Sequence, residues 1–571
     1  MSSVNTRMFL WLGLVMLLWI NYETWQLDYA PTTETAVTQN EAARESTPNN
    51  GLGSTIPSTI PPSTLSNDTP DIAAPDIAGA TSEPSSAVST HAGNLGVTTD
   101  VLDLQISLQG GDLIDAQLLR YPQVKGQADR VRLLNTAPQG FYLIQTGLTD
   151  SSGAPRPTHL ANFTSDALQY RLPEGADELR VPLRWVDPES NITVSKTYVF
   201  RRGEYRVEVI YDIDNRGSAP WQAASYAQIL RDDMPVERSM FNVESYAFQG
   251  PAYYDGTRYQ KLDRSDAEDR ALSRDIQGGW IAGMQHHFVT AVVPFAEASY
   301  RYTLRTDANQ YLLSTAGPAF TVAPQSGSRW TETLFVGPKL QAQLETTGPR
   351  LDLVADYGMF TLLAKPLFWL LEQAHTWVNN WGGAIILITL LLKLLFYPLS
   401  EASGKSMAKM RVLGPRIKNL QDTYKDDREK LGRAMMELYK REKINPLAGC
   451  LPILLQMPVF LAFYWVLLES VEMRQAPFAF WIQDLSARDP FFVLPVIMAG
   501  AMFVQYKLNP TPPDPIQAKV FMILPIVMSA TFAFFPAGLV LYWVTNTLLT
   551  IAQQWNINRR IEADAKKARA S

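Results

Sequence analysis

Beyond residue 358 the chain is dominated by five apolar stretches. They run Trp381–Leu399, Leu447–Leu468, Phe491–Tyr506, Val520–Phe535 and Gly538–Trp555. A bilayer core about 30 Å thick needs about 20 residues of straight helix to cross it. Several of these runs fall short, so a chain built from them requires local thinning of the bilayer or a shared polar cavity that reduces the thickness to be crossed. A sixth apolar run, Met8–Ile20, lies near the start with only Arg7 before it. A signal peptide is one reading of that run. No small-x-small cleavage pattern follows it, and Asn21–Asp28 offers Tyr, Glu, Trp and Gln instead, which fits an uncleaved anchor over residues 1–25.

Loop charge orients the runs. The net charge of −6 is unevenly placed: residues 8–357 carry 26 basic and 41 acidic groups, and the remainder carries 24 and 15. Ser400–Pro446 has 12 basic and 7 acidic residues, the tail after Trp555 has 5 and 2, and Glu469–Asp489 has 2 and 4. Positive loops stay on the cytoplasmic side. The reading is six spans, both termini cytoplasmic, a basic cytoplasmic tail at 558–571, and everything between the first and second spans outside.

That outer part divides further. Residues 26–100 are rich in Thr, Ser, Pro and Ala and cannot bury enough apolar surface to offset ordering entropy, so a disordered tether is expected. Residues 101–345 change character. Leu102–Leu108 and Tyr205–Val209 alternate apolar and polar residues, Ile192–Phe200 is β-branched and aromatic, and turn signals such as Asn215–Arg216–Gly217 follow. This predicts one large antiparallel all-β domain, a sandwich. His286–His287 is read on a strand, where neighbours point to opposite faces, so the pair does not make a metal site. In region 346–380, Phe360–Val378 has helical apolar spacing interrupted by Lys365, Glu372 and His375, which predicts an amphipathic helix in the outer interface. The one cysteine, Cys450, excludes an intrachain disulfide and reads as a small buried apolar residue.

Polar residues inside the runs carry the functional reading. Lys393 stands in IILITLLLKLLFY, with Thr389 one helical turn away on the same face. A charge at a helix centre costs about 2.5–3.5 kcal/mol on insertion scales. Lys393 lies about 9 Å from the inner end of its run, within snorkelling reach, so the residues leave both an anchor and a cavity-lining cation open. Gln456 in the next span, and Tyr542, Trp543, Thr545, Asn546, Thr547 and Thr550 in the last, favour a hydrated groove, although such groups also serve interhelical hydrogen bonding. The cytoplasmic loop 400–446 predicts a helical hairpin around Asp426–Asp427, with a seam of Met407, Met410, Leu413, Leu431, Met435 and Leu438. Gly404–Lys405–Ser406 ends like a phosphate loop, but Leu399 holds the position of the required first glycine. No catalytic or cofactor motif is found.

The stretches NWGGAIILITLLLKLLFYPLS, SMAKMRVLGPRIK, NPLAGCLPILLQMPVFLAFYWVL, APFAFWIQDLSARDPFFVLP and FPAGLVLYWVTNTLLTIAQQ closely resemble the YidC/Oxa/Albino insertases, in order and over about residues 358–557. The β domain resembles the Gram-negative members more loosely, through GGWIAGMQHHFVTAVVP. The resemblance implies a polytopic α-helical membrane protein of six transmembrane helices. Five of them form an insertase core at 381–557, and a large periplasmic β-supersandwich stands outside the bacterial inner membrane. It implies a hydrophilic groove open to cytoplasm and lipid, which takes nascent inner-membrane proteins without enzymatic chemistry, cofactor or metal. The family's groove arginine falls on Lys393, which keeps the charge and loses the guanidinium fork. Its groove threonine and glutamine match Thr389 and Gln456, and its tyrosine pair reads Tyr542–Trp543, beside Asn546. Implied partners are the Sec translocon, the lipid bilayer and, weakly, the ribosome, with no specific nucleic acid. Two other classes stay open on residues alone. A solute transporter or channel predicts inverted repeats, and none is evident. A membrane-anchored carbohydrate-binding domain predicts carboxylates clustered in a β cleft, which sequence does not place.

Overall fold

A computed structural model describes residues 93–138, 140–150, 155–232, 247–307, 309–424, 427–442, 451–508 and 515–570. The expected first span, nearly all of the expected tether, and Cys450 lie outside the described residues. Strand alternation is obeyed where the sequence shows it: Leu102–Ser107 and Arg206–Asn215 bury every second side chain. Nineteen described strands form two sheets, one of eleven strands and one of eight. Pairing is antiparallel, except that Asn94–Thr98 runs parallel to Gln169–Arg171. Leu104, Ile106, Leu148 and Ile229 of the larger sheet share one core with Val181, Val194, Val209 and Ile213 of the smaller, the two-layer solution for sheets that each carry one apolar face. Asn94–Thr98 had been placed in the tether. It is a strand, held along its length by Leu102–Ser107, and Leu95 and Val97 are fully buried, so the β domain begins before residue 101.

His286–His287 corrects the geometry expected of it. The pair occupies the turn between strands Trp280–Met284 and Phe288–Val293. The two rings stack on one another with centroids 3.7 Å apart. Among the described residues, no group of three or more His, Cys, Asp or Glu is placed to hold a metal ion.

Beyond residue 360 the described residues form eight α-helices: α1 Thr361–Val378, α2 Trp381–Leu395, α3 Tyr397–Thr423, α4 Arg428–Arg441, α5 Leu451–Glu469, α6 Val493–Leu508, α7 Pro515–Phe532 and α8 Ala537–Ala570. The run expected to extend through Leu399 breaks at Phe396, because Pro398 supplies no N–H and the helix restarts there as α3. Among the described residues no single helix is both long and apolar enough to cross a membrane alone. The pair α1–α2 passes that test together but is bent by 120°. The bend is made by Asn379 in the left-handed region and by Asn380, whose side chain accepts from the Gly383 N–H and starts α2.

The helix α1 forms where the amphipathic pattern predicted it. It buries Ala364, Leu367, Phe368, Leu371 and Ala374, and it also exposes Leu362, Trp369 and Trp377, so its outer face is apolar as well. The hairpin expected over residues 400–446 is α3 with α4. Its seam joins Leu413, Ile417 and Leu420 to Met435, Met436, Leu438 and Tyr439. Leu431, expected in that seam, stands outside the cluster, while the side chains of Met407 and Met410 lie outside the described set.

The two regions meet at the C-terminal end of α5 and the loop after it. The Arg474 guanidinium donates to the Pro122 and Gln123 carbonyls at 3.0 and 3.1 Å. Lys125 Nζ donates to the carbonyls of Gln475 and Gln483 at 2.9 and 2.6 Å. His286 Nε2 donates to the Leu468 carbonyl at 3.0 Å. Burial, then the Lys339 charge, pushes His286 down to about 4, so it stands neutral at pH 7 and keeps that donor.

Candidate functional site, a polar groove between the helices

A cavity of about 430 Å³ lies among α2, α3, α5, α6, α7 and α8. Its polar wall follows from helical spacing. Tyr542, Asn546, Thr550, Gln553 and Ile557 of α8 recur at intervals of four and three and therefore share one face, and all five line the cavity. The other walls are mostly apolar, with Met457, Phe460, Met502 and Phe521 among them. Five of the six residues singled out from sequence line it: Lys393, Gln456, Tyr542, Trp543 and Asn546. Thr389 lines the adjoining smaller pocket, which also includes Lys393, Gln456, Tyr542 and Asn546.

Lys393 points across the helix interface. Its Nζ donates to Thr550 Oγ1 at 2.8 Å, and that hydroxyl in turn donates to the Asn546 carbonyl at 2.7 Å. A snorkelling lysine would place its head among headgroups; this one is held by a hydroxyl of α8. Among the described residues lining the cavity it is the one charged side chain. Gln456 Nε2 donates to Asn546 Oδ1 at 2.6 Å and lies 3.5 Å from the Tyr542 hydroxyl. Together these two links tie α2 and α5 to α8 at one level. The other two residues serve the wall. Thr389 is almost fully buried and its hydroxyl donates to the Ile385 carbonyl of its own helix at 2.6 Å. Trp543 packs between Phe460 and Phe532, with ring centroids 4.8 and 5.1 Å away.

Sequence reasoning noted Thr550 only as one polar residue among several, although its spacing of four from Asn546 already placed the two on one face. Ser400, Ser403, Gln505, Gln553 and Gln554 also line the cavity and were not singled out. Each is an ordinary residue in the sequence, and only convergence of the three helices α3, α6 and α8 makes them a set. The arrangement offers carboxamides, hydroxyls and one cation beside an apolar wall. It can solvate a short polar segment while an attached apolar segment lies alongside.

The chain is similar to known proteins over its whole length. Residues 94–370 match a family described as the YidC periplasmic domain, and residues 373–566 match one described as the 60Kd inner membrane protein. A relative from Thioalkalivibrio sulfidiphilus, the membrane protein insertase YidC, is 46% identical over 99% of this chain and 100% of its own length. The protein of the same name from Pseudomonas fluorescens is 43% identical over 99% of each chain. A crystal structure of an active YidC insertase with its first transmembrane domain resolved aligns at a TM-score of 0.37 and 20% identity, over 80% of this chain and 91% of that one.

Proposed function

The chain belongs to the YidC family of membrane protein insertases, and from that premise we propose that it inserts nascent inner-membrane proteins through the groove lined by Lys393, Gln456, Tyr542, Trp543, Asn546 and Thr550. It is an inner-membrane protein with a periplasmic β domain, and it is an insertase and not an enzyme. In this reading five spans built on α2, α5, α6, α7 and α8 form the core, and the run at residues 1–25 supplies a sixth. Both termini and the α3–α4 hairpin are cytoplasmic. The α1 helix lies in the outer interface, with Leu362, Trp369 and Trp377 facing lipid.

The mechanism follows from the walls. The polar end of a nascent hairpin or N-tail enters from the cytoplasm and exchanges water for the hydroxyls and carboxamides of α8, which lowers the cost of leaving water. The attached apolar part moves into lipid between the spans, and hydrophobic transfer drives completion. The chain inserts and helps fold its substrates alone or beside the Sec translocon, and the tail after Trp555, with 5 basic and 2 acidic residues, carries too few charges to be the main ribosome contact.

The observation that carries this reading is the bond from Lys393 to Thr550 inside the cavity. At about 4 Å and an effective dielectric near 20, a cation attracts a carboxylate by about 4 kcal/mol before desolvation is set against it. A net tenth-to-third of that already changes an equilibrium severalfold. Lys393→Arg is therefore functional, Lys393→Ala is impaired mainly for acidic tails, and Lys393→Glu is worse for the same tails. The measurement is protease accessibility of a single-span substrate whose outer tail carries zero, one or two Asp residues. If all three folded variants treat these tails alike, Lys393 is an anchor and not a groove cation.

A further inference from the structure

The loop joining α5 to α6 carries an aromatic residue in a backbone conformation that its side chain disfavours. The tip of the loop is a turn, Ala479–Ile482. The Ile482 N–H donates to the Ala479 carbonyl and the Phe478 N–H to the Ile482 carbonyl, both at 3.0 Å. Phe480 holds the first central position with φ at 53°, a left-handed setting that glycine or asparagine adopts readily and a bulky side chain does not. At 88% it is also the most exposed large apolar side chain among the described residues. Strain and apolar exposure are both unfavourable in water. An apolar surrounding removes the second and so offsets the first.

The turn is fastened from two sides. Asn380 Nδ2, at the bend between α1 and α2, donates to the Pro477 and Phe478 carbonyls at 3.3 and 2.9 Å. Lys125 Nζ of the β domain donates to the Gln483 carbonyl, and Gln483 Nε2 donates to the Phe480 carbonyl at 2.9 Å. The turn is therefore tied to the end of α1 at which Trp377 is 81% exposed. Phe491, 69% exposed, stands at the far end of the same loop. Aromatic rings collect at the level where a bilayer meets water, and these three come from one helix end and one loop joined by hydrogen bonds.

We propose that the Ala479–Ile482 turn is a second membrane anchor, with Phe480 inserted among the lipids of the outer leaflet beside Trp377. The partner is the lipid surface itself. This rests on the reading that α1 lies in the outer interface, and adds to it a point of attachment off the α1 axis. A single interfacial helix is free to roll about its own axis; a second point beside it stops the roll. Because Lys125 grips the same loop, the β domain acquires a fixed height above the bilayer.

The test uses the full chain with Cys450→Ser, which removes the one cysteine, so that a single introduced cysteine carries an environment-sensitive fluorophore. The purified protein is placed in vesicles of phosphatidylethanolamine and phosphatidylglycerol, with or without lipids brominated high on the acyl chains. Labels at Phe480→Cys and Trp377→Cys should shift to the blue and lose most of their emission to the brominated lipids. A label at Val186→Cys should do neither. Val186 is 50% exposed, but it lies in strand Glu178–Asp187, at the end of its sheet away from the Phe288–Pro338 pair. Phe480→Gly suits the backbone and removes the ring, so it should fold and should lower quenching of a Phe491→Cys label severalfold; Phe480→Trp should not. A wet Phe480 label beside a quenched Trp377 label overturns the anchor and leaves the interfacial reading of α1 standing, whereas two wet labels overturn both. A Phe480 label wet in these vesicles and dry in native membranes assigns the turn to a protein partner and also overturns the proposal. So does a Phe491 label that Phe480→Gly leaves unchanged.

Discussion

Asp489 in the helical region and Glu332 in the β domain are equally buried carboxylates, 1% and 2% exposed, in opposite surroundings. Asp489 accepts from Trp481 Nε1 at 3.0 Å, from the Phe491 N–H at 3.1 Å and from the Leu494 N–H at 2.7 Å. Neither oxygen of Glu332 has a hydrogen-bond partner among the described residues. The difference lies in what each backbone needs. The outer loop before α6 has no ladder, and the N–H groups at a helix start have no partner of their own, so one carboxylate organises them. Glu332 sits in strand Ser326–Pro338, paired on both sides by strands Arg206–Asn215 and Phe288–Val293. Its backbone is already satisfied, and burial outweighs what Ser225, Lys196 and Trp330 nearby offer the carboxylate. The helical region is specified by a few polar contacts, and the β domain by area.

The strongest way to break that contrast is deletion. Removing Thr361–Val378 should abolish insertion, because α1 packs against α2 and α5 and braces the groove. Removing about residues 110–320 should leave substantial activity in a depletion strain scored by insertion of small inner-membrane proteins. Equal loss in both would end the division of labour.

At the level of single residues, Asp489→Ala should destabilise the helical region by about 3 kcal/mol, since hydrogen bonds to a charged group are worth about 1.5–3 kcal/mol each and are not additive. Thermal unfolding in detergent would read it, and a change below about 1 kcal/mol would mean that the loop organises itself without the carboxylate.

Glu332→Gln should act in the other direction. Burial raises the Glu332 carboxyl from 4.5 to about 7, so between those values the folded state holds a proton that the unfolded chain has released. The β domain should therefore lose stability as pH rises from about 4.5 to about 7 and change little from this group above that. Burial likewise raises Asp112, which adds to the slope in the same sense. It lowers Lys196, which acts only on the alkaline side. Glu332→Gln should flatten the slope and gain about 2 kcal/mol at pH 7, measured by hydrogen exchange in the surrounding strands at pH 5 and pH 7. An unchanged slope would assign the pH dependence elsewhere.

The smallest effect is expected at the hairpin. Arg416 and Glu442 pair at 2.9 Å with side chains 62% and 33% exposed. Exposed pairs are worth about 0–1 kcal/mol, so Glu442→Gln should leave the α3–α4 hairpin stable in the same assay. A larger loss would place that pair among the contacts that specify the helical region.

Legibility in the sequence follows the same line. Strands such as Leu102–Ser107 and Arg206–Asn215 were readable because period-two alternation is a local pattern, and Ile192–Arg201 because its residues are β-branched and aromatic. Helix α1 was readable from its spacing, and five of the six chosen groove residues do line the main cavity, because a polar residue in an apolar run is conspicuous. What escaped was set by convergence. Asp489 read only as a charge in an acidic loop, and Asn94–Thr98 as linker, since its partner strands give it structure that its own five residues do not announce.

The seam between the regions has a consequence for the order in which the molecule is made. Lys125 and Gln475 are 350 positions apart, and Arg474 and Pro122 are 352. Every strand of the sandwich is synthesised before the segment that grips it. The Pro122 and Gln123 carbonyls therefore wait without these partners until α5 and the loop after it have been made and folded. Contacts of such separation form late, so the newly made protein passes through a stage in which a finished outer domain hangs from an unfinished helical bundle. Closure of the Arg474 and Lys125 contacts marks the end of that stage, the moment at which an insertase has itself been inserted.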